Sequence, residues 1–201
     1  YGKAIMIVVG ITGGIGSGKS MVSSILKAMG YAVYNADIEA RAIANTNQMV
    51  VEEIKQLFGN DVYEQGMLNR PRVAELVFAD QKLLANLNSI VHPAVAKHFE
   101  EWKRLHANAK IVFKEAAILF ESGAYKQVDA VIAITAPREL KIERVCKRNG
   151  ISRNQVTQRM ANQLPDKELV TKSDFLIVND EVTLLVPQVI EIVNKLLQRV
   201  N

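Results

Sequence analysis

A glycine-rich segment near the start of the chain has the residue types and the spacing that bind phosphate. It fits the pattern GxxxxGK[ST] in full, as Gly13, Gly14, Ile15, Gly16, Ser17, Gly18, Lys19 and Ser20. Glycines allow successive backbone amides to approach a polyphosphate closely. The ammonium group of Lys19 can neutralise the outer phosphates, and the hydroxyl group of Ser20 can bind Mg²⁺. The segment therefore predicts a phosphate-binding loop with Lys19 as a catalytic cation.

The flanking residues provide the structural context that such a loop needs. An apolar run from Ile5 to Ile11 precedes it and predicts a strand buried on both faces. Apolar residues from Val22 to Met29 recur after it at helical spacing. A glycine turn between a strand and a helix lies at the amino end of that helix, where unpaired N–H groups attract anions. These flanks favour a phosphate loop over a glycine-rich surface turn.

The remaining apolar runs alternate between strand and helix. Further strands are predicted at residues 31–35, 111–113, 128–135 and 175–178, and a closing helix has an apolar stripe from Val186 to Val200. Strands that alternate with helices indicate a mainly parallel sheet covered on both faces. The predicted fold class is therefore α/β, with a five-stranded sheet like that of P-loop nucleotide-binding proteins.

Two segments are predicted to lie outside this sheet. Residues 49–107 have helical patterns almost throughout and are too long for a simple crossover, so they predict an inserted helical domain for the acceptor substrate. Residues 138–172 are rich in basic residues and poor in apolar ones, which predicts a mobile lid. The nucleotide-binding core then consists of residues 1–48, 108–137 and 173–201.

Three acidic residues follow predicted strands: Asp37, Glu115 and Glu121. Ligands of open α/β sheets bind beyond the carboxyl ends of the strands. A carboxylate near the phosphate loop can accept the proton of an attacking hydroxyl group or hold Mg²⁺. Asp37 is therefore the candidate catalytic base, and either Asp37 or Glu115 is a second candidate ligand of Mg²⁺. Asp37 could also cap a helix, which is compatible with both roles.

Composition and charge limit the class of function. The chain has 201 residues, of which 49% are hydrophobic, and its 25 basic and 21 acidic residues include no long basic block. This balance favours small anionic ligands over nucleic acid. The single cysteine leaves no internal disulfide, and no apolar run reaches the roughly 18 residues of a membrane span. We therefore expect a cytoplasmic protein with no nucleic acid, membrane or obligate protein partner.

Short motifs along the whole chain resemble those of the dephospho-coenzyme A kinases. The family's opening, a run like GLTGGIGSGKS, corresponds to GITGGIGSGKS at residues 10–20. Its DADxxAR motif corresponds to NADIEAR at residues 35–41, and its PLLFE motif to AILFE at residues 117–121. The HP pair is His92-Pro93, and the VxN element is represented by Val178-Asn179. Two departures from the family pattern matter. Asn35 replaces the first acid of DADxxAR, which removes any metal-binding role there, and Ala117 replaces the proline of PLLFE.

The resemblance implies a reaction and a set of site residues. The reaction is transfer of the γ-phosphoryl group of ATP to the 3′-hydroxyl of dephospho-coenzyme A, with Mg²⁺ as cofactor. Asp37 corresponds to the proposed base of the family, and Asn179 lies where adenine is contacted. The implied acceptor residues are Asp37, Arg41, His92, Leu119 and Glu121, and the helical insert corresponds to the coenzyme A domain.

Phosphoryl transfer also needs cations that neutralise the charge of the phosphates. Arg144 and Arg148 are four residues apart on one face of the predicted lid helix, so both are candidates for contact with ATP. Solvated surface charge is the ordinary alternative for such a pair.

Two other functions are compatible with a phosphate loop. Another P-loop kinase, one that acts on nucleosides or nucleotides, is the first alternative, although the large helical insert favours a longer acceptor. A guanine-nucleotide switch is the second, but the NKxD element typical of such proteins does not occur. The only Asn-Lys pair is in Asn194-Lys195-Leu196-Leu197.

Overall fold

The computed structural model describes residues 6–199, apart from the side chain of Ala79. The chain divides into two compact units. The first unit comprises Tyr1–Asn35 and Leu105–Asn201, and the second comprises Ala36–Arg104. The second unit thus begins closer to the amino terminus than the insert predicted at residues 49–107.

The first unit is built on one parallel sheet. Its strands, numbered along the whole chain, are β1 (Ile7–Thr12), β2 (Ala32–Asn35), β5 (Ile111–Glu115), β6 (Ala130–Thr135) and β7 (Phe175–Val178). Their order in the sheet is β2-β5-β1-β6-β7, and every neighbouring pair is parallel. All residues of β1 and β5 are buried, as expected for central strands of a parallel sheet. The predicted α/β class and five-stranded sheet are confirmed.

The described residues of this unit form five helices: α1 (Lys19–Ala28), α6 (Arg138–Asn149), α7 (Arg153–Ala161), α8 (Asp166–Lys172) and α9 (Leu185–Gln198). A short 3₁₀ turn covers Ala124–Gln127. Val22 and Leu26 of α1 and Val189 and Leu196 of α9 form one apolar cluster with alternate residues of the strands. Period-2 alternation directs those strand residues to a single face, so α1 and α9 cover that face. Ile5 and Val200, which belonged to the predicted strand and stripe, lie outside the described residues.

The second unit is mainly helical. It contains α2 (Ala36–Thr46), α3 (Gln48–Phe58), a 3₁₀ turn (Asn60–Val62), α4 (Arg70–Ala79) and all but the last residue of α5 (Gln81–Leu105). It also contains an antiparallel hairpin, β3 (Tyr63–Glu64) and β4 (Met67–Leu68), which the sequence analysis missed. Gln65 and Gly66 connect these strands with φ of 51° and 81°, and two positive φ angles are typical of a type I′ hairpin turn. Strands of two residues are too short to produce an alternating pattern.

Within the described part of the chain, no helix combines the length and the apolar character that a membrane span requires.

Candidate active site

The predicted phosphate loop connects the central strand β1 to helix α1. Gly18 precedes the helix in the left-handed conformation, and its carbonyl oxygen accepts hydrogen bonds from the amides of Met21 and Val22. The ammonium group of Lys19 donates to the carbonyl oxygen of Gly13 at 2.7 Å. The loop therefore lies at the carboxyl end of β1 and the amino end of α1, which is where an anion is favoured.

Two glycines of the loop are required by close neighbours as well as by backbone conformation. Gly16 has φ of 80°, and a Cβ there would lie 2.5 Å from the carbonyl oxygen of Lys141. Gly18 has φ of 97°, and its Cβ would overlap the side-chain amide of Asn179. A side chain at either position would be strained and would displace α6 or Asn179.

Asn179 and Arg144 are held together at this loop. Asn179 is 4% exposed, and its Nδ2 donates to the carbonyl oxygen of Ser17 at 2.8 Å. Arg144 donates from Nη2 to the backbone and side-chain oxygens of Asn179 at 3.2 and 3.3 Å. It also donates from Nη1 to the carbonyl oxygen of Gly16 at 3.4 Å and forms an ion pair with Glu181 at 3.1 Å. The structure thus brings together the loop and two of its predicted partners.

Arg148 has different surroundings from Arg144. Its Nε donates to the side chain of the adjacent Asn149 at 2.9 Å, and the residue is exposed. A contact of Arg148 with ATP stays a prediction.

Sequence reasoning missed three residues that lie over Gly14. Lys141 Nζ, Gln163 Oε1 and Asp166 Oδ1 are the atoms nearest to the point that a Cβ on Gly14 would occupy. Gln163 Oε1 also accepts a hydrogen bond from the amide of Ile15 at 2.8 Å. Lys141 is three residues before Arg144 on α6, so helical spacing alone could have indicated it. No local pattern indicates Gln163 or Asp166, because they come from the segment between α7 and α8 and from the start of α8.

Asn35 and Glu115 are neighbours at the ends of β2 and β5. They are partners in the register of the sheet, and Asn35 Nδ2 donates to Glu115 Oε2 at 2.9 Å. Glu115 is 5% exposed. An acid at position 35, as in the family motif, would bring two carboxylates together, whereas Asn35 supplies a donor. The neutral side chain therefore replaces repulsion with a hydrogen bond.

Leu119 and Glu121 follow β5 on a turn. Leu119 is fully buried, and one of its methyl groups lies 2.7 Å from the point that a Cβ on Gly10 would occupy. Glu121 is exposed, and its Oε1 accepts from the amide of Leu164 at 3.0 Å. The roles of both residues at an acceptor site stay predictions.

The second unit carries the other predicted acceptor residues. Asp37 and Arg41 both lie on α2, with Asp37 in its first turn, where a carboxylate is favoured by the helix dipole. Asn45, one turn beyond Arg41, accepts a hydrogen bond from the amide of Leu68 at 2.8 Å. This bond brings α2 next to the start of α4, so that Arg70 is close to Arg41.

Arg41 and Arg70 form a cluster of positive charge. Burial and the charge of Arg41 lower the pKa of the Arg70 guanidinium. Among residues 6–199, neither guanidinium has a carboxylate within ion-pair distance. Arg70 also borders an open groove of about 530 Å³, lined by residues 64, 65 and 67–71. An unpaired arginine cluster at a groove can bind a phosphate or a diphosphate.

His92 lies in the long helix α5, immediately before Pro93. The imidazole is half-buried, and burial lowers its pKa below the ordinary value of about 6.5. In the chain without a ligand, the neutral form of His92 therefore predominates at pH 7.

The residues at the loop fit a magnesium ion that is held mainly by phosphates. Ser20, the second residue of α1, is exposed, and its hydroxyl group can be a ligand. No group of three or more His, Cys, Asp or Glu side chains in the described ranges could hold a metal ion. Mg²⁺ commonly binds through substrate phosphates with few protein ligands, so this donor set is sufficient.

Comparison with known proteins gives one consistent result. The dephospho-CoA kinase family profile matches residues 7–184. A dephospho-CoA kinase of Bacteroides fragilis is 38% identical over 195 residues, with 97% of this chain and 95% of the relative covered. One of Porphyromonas gingivalis is 40% identical over 189 residues, with 94% and 93% covered. The solved dephospho-CoA kinase of Campylobacter jejuni aligns with a TM-score of 0.71 and 26% identity, covering 97% of this chain and 99% of its own. The chain therefore belongs to the dephospho-CoA kinase family, as its motifs had predicted.

Proposed function

We propose that this chain transfers the γ-phosphoryl group of ATP to the 3′-hydroxyl of dephospho-coenzyme A, which yields ADP and coenzyme A. The observation that carries the proposal is the phosphate loop between β1 and α1, with Lys19 and Arg144 donating hydrogen bonds to its carbonyl groups. The loop amides bind the triphosphate, and the two cations neutralise the charge that develops during transfer.

Asn179 and Arg144 hold the nucleotide end of the site. Asn179 fixes the turn that carries Ser17 through the hydrogen bond from its side-chain amide. Arg144 has an exposed fraction of 24% and can reach ATP while it stays bonded to Asn179. The Ser20 hydroxyl would hold Mg²⁺, and the ion would supply positive charge that offsets the negative charge of the phosphates during attack.

Asp37 accepts the proton of the attacking hydroxyl group. The 3′-oxygen forms a bond to the γ-phosphorus, the bond between that phosphorus and the oxygen shared with the β-phosphate breaks, and ADP leaves with the electron pair. The position of Asp37 supports this role, because it lies in the first turn of α2 two residues after the end of β2, and ligands of open α/β sheets bind beyond the carboxyl ends of the strands.

Arg41 and Arg70 bind the diphosphate of dephospho-coenzyme A. Their positive charges, which no carboxylate of the described residues pairs with, and the groove beside Arg70 support an anionic, elongated acceptor. A nucleoside would offer no phosphate to this pair, so the cluster favours dephospho-coenzyme A over the nucleoside acceptors of other P-loop kinases.

A panel of acceptors tests the proposal directly. ADP release should be measured with ATP, Mg²⁺ and one acceptor at a time: dephospho-coenzyme A, adenosine, AMP, other nucleosides, or water. We expect turnover with dephospho-coenzyme A to exceed every other acceptor by more than about 100-fold. Lys19→Ala is the control for contaminating kinases, since it should lose most of the activity. Equal or faster turnover with AMP or a nucleoside would contradict the proposal.

A further inference from the structure

A buried ion pair lies outside the residues that the proposed reaction uses. Lys141 Nζ of α6 donates to Asp166 Oδ2 of α8 at 2.6 Å. The Lys141 side chain is only 5% exposed, and that of Asp166 is 32% exposed. Taking an ammonium group out of water is costly, and replacing such a pair with apolar residues is often neutral for stability. Stability alone is therefore a weak reason for this lysine to be buried here.

The pair lies directly against the phosphate loop. Asp166 Oδ1 is 3.3 Å and Lys141 Nζ is 3.4 Å from the point that a Cβ on Gly14 would occupy. Lys19 approaches the same residue, since its Nζ is 3.4 Å from the Gly14 carbonyl oxygen. Two ammonium groups thus lie beside Gly14. The lysine of a phosphate loop reaches the β- and γ-phosphates, so the second ammonium group is also close to the outer end of the triphosphate.

Packing keeps Lys141 in this position. The backbone of Lys141 lies in close contact with Gly16, whose missing side chain makes room for it. The next residue, Ile142, forms an apolar cluster with Val145 and Val156, and Ile15 of the loop packs against that cluster. The first turns of α6 therefore contact the loop at Lys141 itself and through the apolar cluster that contains Ile142.

The charges of the pair explain why a lysine is needed. The Asp166 carboxylate beside Gly14 would repel a triphosphate on the loop, and the ammonium group of Lys141 compensates for it. An ammonium group has three donor hydrogens, and Asp166 accepts one of them. The other two have no acceptor among residues 6–199. Unused donors on a buried cation can bind a phosphate oxygen.

We propose that Lys141 contacts the terminal phosphate of bound ATP and neutralises Asp166, so that the pair distinguishes ATP from ADP. This inference rests on the proposed use of ATP. It adds to the phosphate-binding residues a lysine of α6 that is already in place beside Gly14.

Calorimetry on the full chain with Mg²⁺ tests the proposal. The ligands are ADP and adenylyl imidodiphosphate, a triphosphate analogue that is not turned over. Lys141→Gln should lower the ratio of analogue affinity to ADP affinity about tenfold. Lys141→Gln with Asp166→Asn should lower this ratio only about threefold, because no bare carboxylate is left. Lys147→Gln, which removes an exposed lysine from the same helix, should leave the ratio unchanged.

Several results would overturn the proposal. An unchanged ratio in Lys141→Gln, or equal losses for both nucleotides, would leave the pair with a structural role only. An equally large fall of this affinity ratio in the double variant would show that the Asp166 carboxylate does not contribute to the effect. Thermal unfolding shows which variants are folded at the titration temperature. If Lys141→Gln is not folded at that temperature, the affinity ratio of the double variant alone decides the test. A wild-type chain that binds neither nucleotide would refute the proposed function itself, whereas failure of the variants alone refutes only this inference.

Discussion

The side-chain amide of Asn179 occupies the space that a Cβ on Gly18 would need. The same amide donates to the carbonyl oxygen of Ser17, so the last strand of the sheet is connected to the phosphate loop through one buried side chain. A glycine at position 18 is therefore required by a residue more than 160 positions away along the chain, as well as by its φ of 97°.

Replacement of Gly18 should lower both the stability of the chain and its affinity for ATP. Gly18→Ala is expected to lose ATP affinity by more than about tenfold and about 1–3 kcal/mol of stability, because it combines a positive φ with overlap at Asn179. Gly150→Ala is the matched control, since Gly150 has φ of 64° with open space around it. That control should cost about 1 kcal/mol in thermal unfolding and leave ATP affinity unchanged. Equal ATP affinities in the two variants would contradict the role of the Asn179 contact.

The two arginines of α6 should differ in their effect on ATP. Arg144→Ala should lower kcat/KM for ATP by about tenfold or more, because Arg144 is bonded to both the loop and Asn179. Arg148→Ala should lower kcat/KM for ATP by a smaller factor, because Arg148 is exposed and bonded to Asn149 in this structure. Steady-state kinetics at saturating acceptor measures both. A larger effect at Arg148 would assign the main contact with ATP to that residue instead.

Asp37→Asn should abolish most of the turnover and leave the fold intact. The amide cannot accept the proton of the 3′-hydroxyl, and loss of a general base typically costs about 100-fold to 10,000-fold in rate. The measurement is kcat with both substrates saturating, with ATP affinity as the control for an intact nucleotide site. A kcat close to that of the wild type would show that another group takes the proton.

Arg41→Ala and Arg70→Ala should each raise KM for dephospho-coenzyme A by about tenfold with little change in KM for ATP. Each variant removes one cation from the unpaired cluster that is proposed to bind the acceptor diphosphate. Arg72→Ala is the control, because Arg72 lies on the same helix and pairs with Glu75 at 3.7 Å. A rise in KM for ATP instead would assign the cluster to the other substrate.

The stability of the chain should fall as the pH drops below about 6.5, in part because of His92. Burial lowers the pKa of this imidazole in the folded chain, so the unfolded chain binds a proton more readily. Protonation therefore favours unfolding, and the contribution is lost as the pH falls from 7 towards 5. Chemical denaturation across this range should be less dependent on pH in His92→Gln than in the wild type. Identical pH dependence in His92→Gln and the wild type would show that folding does not disfavour protonation of His92.

Much of the fold could be predicted because its signals are local. The buried runs of β1 and β6 and the apolar stripe of α9 are each continuous in sequence, and the parallel sheet follows from their alternation with helices. The hairpin at Tyr63–Leu68 could not be predicted from alternation, because its strands have two residues each. The start of the second unit at Ala36 was also not indicated, since α2 follows β2 without a break in pattern.

The sequence alone determined the phosphate loop and the family, because a glycine pattern and its flanking strand and helix are contiguous and each residue type has a chemical reason to be there. Only the tertiary structure decided which distant residues surround that loop. Asn179, Arg144 and the Lys141–Asp166 pair reach it from separate elements, and Arg144 but not Arg148 is bonded to it. The reason is that a contact between side chains far apart in the chain depends on how sheet and helices pack, and no local pattern records that packing.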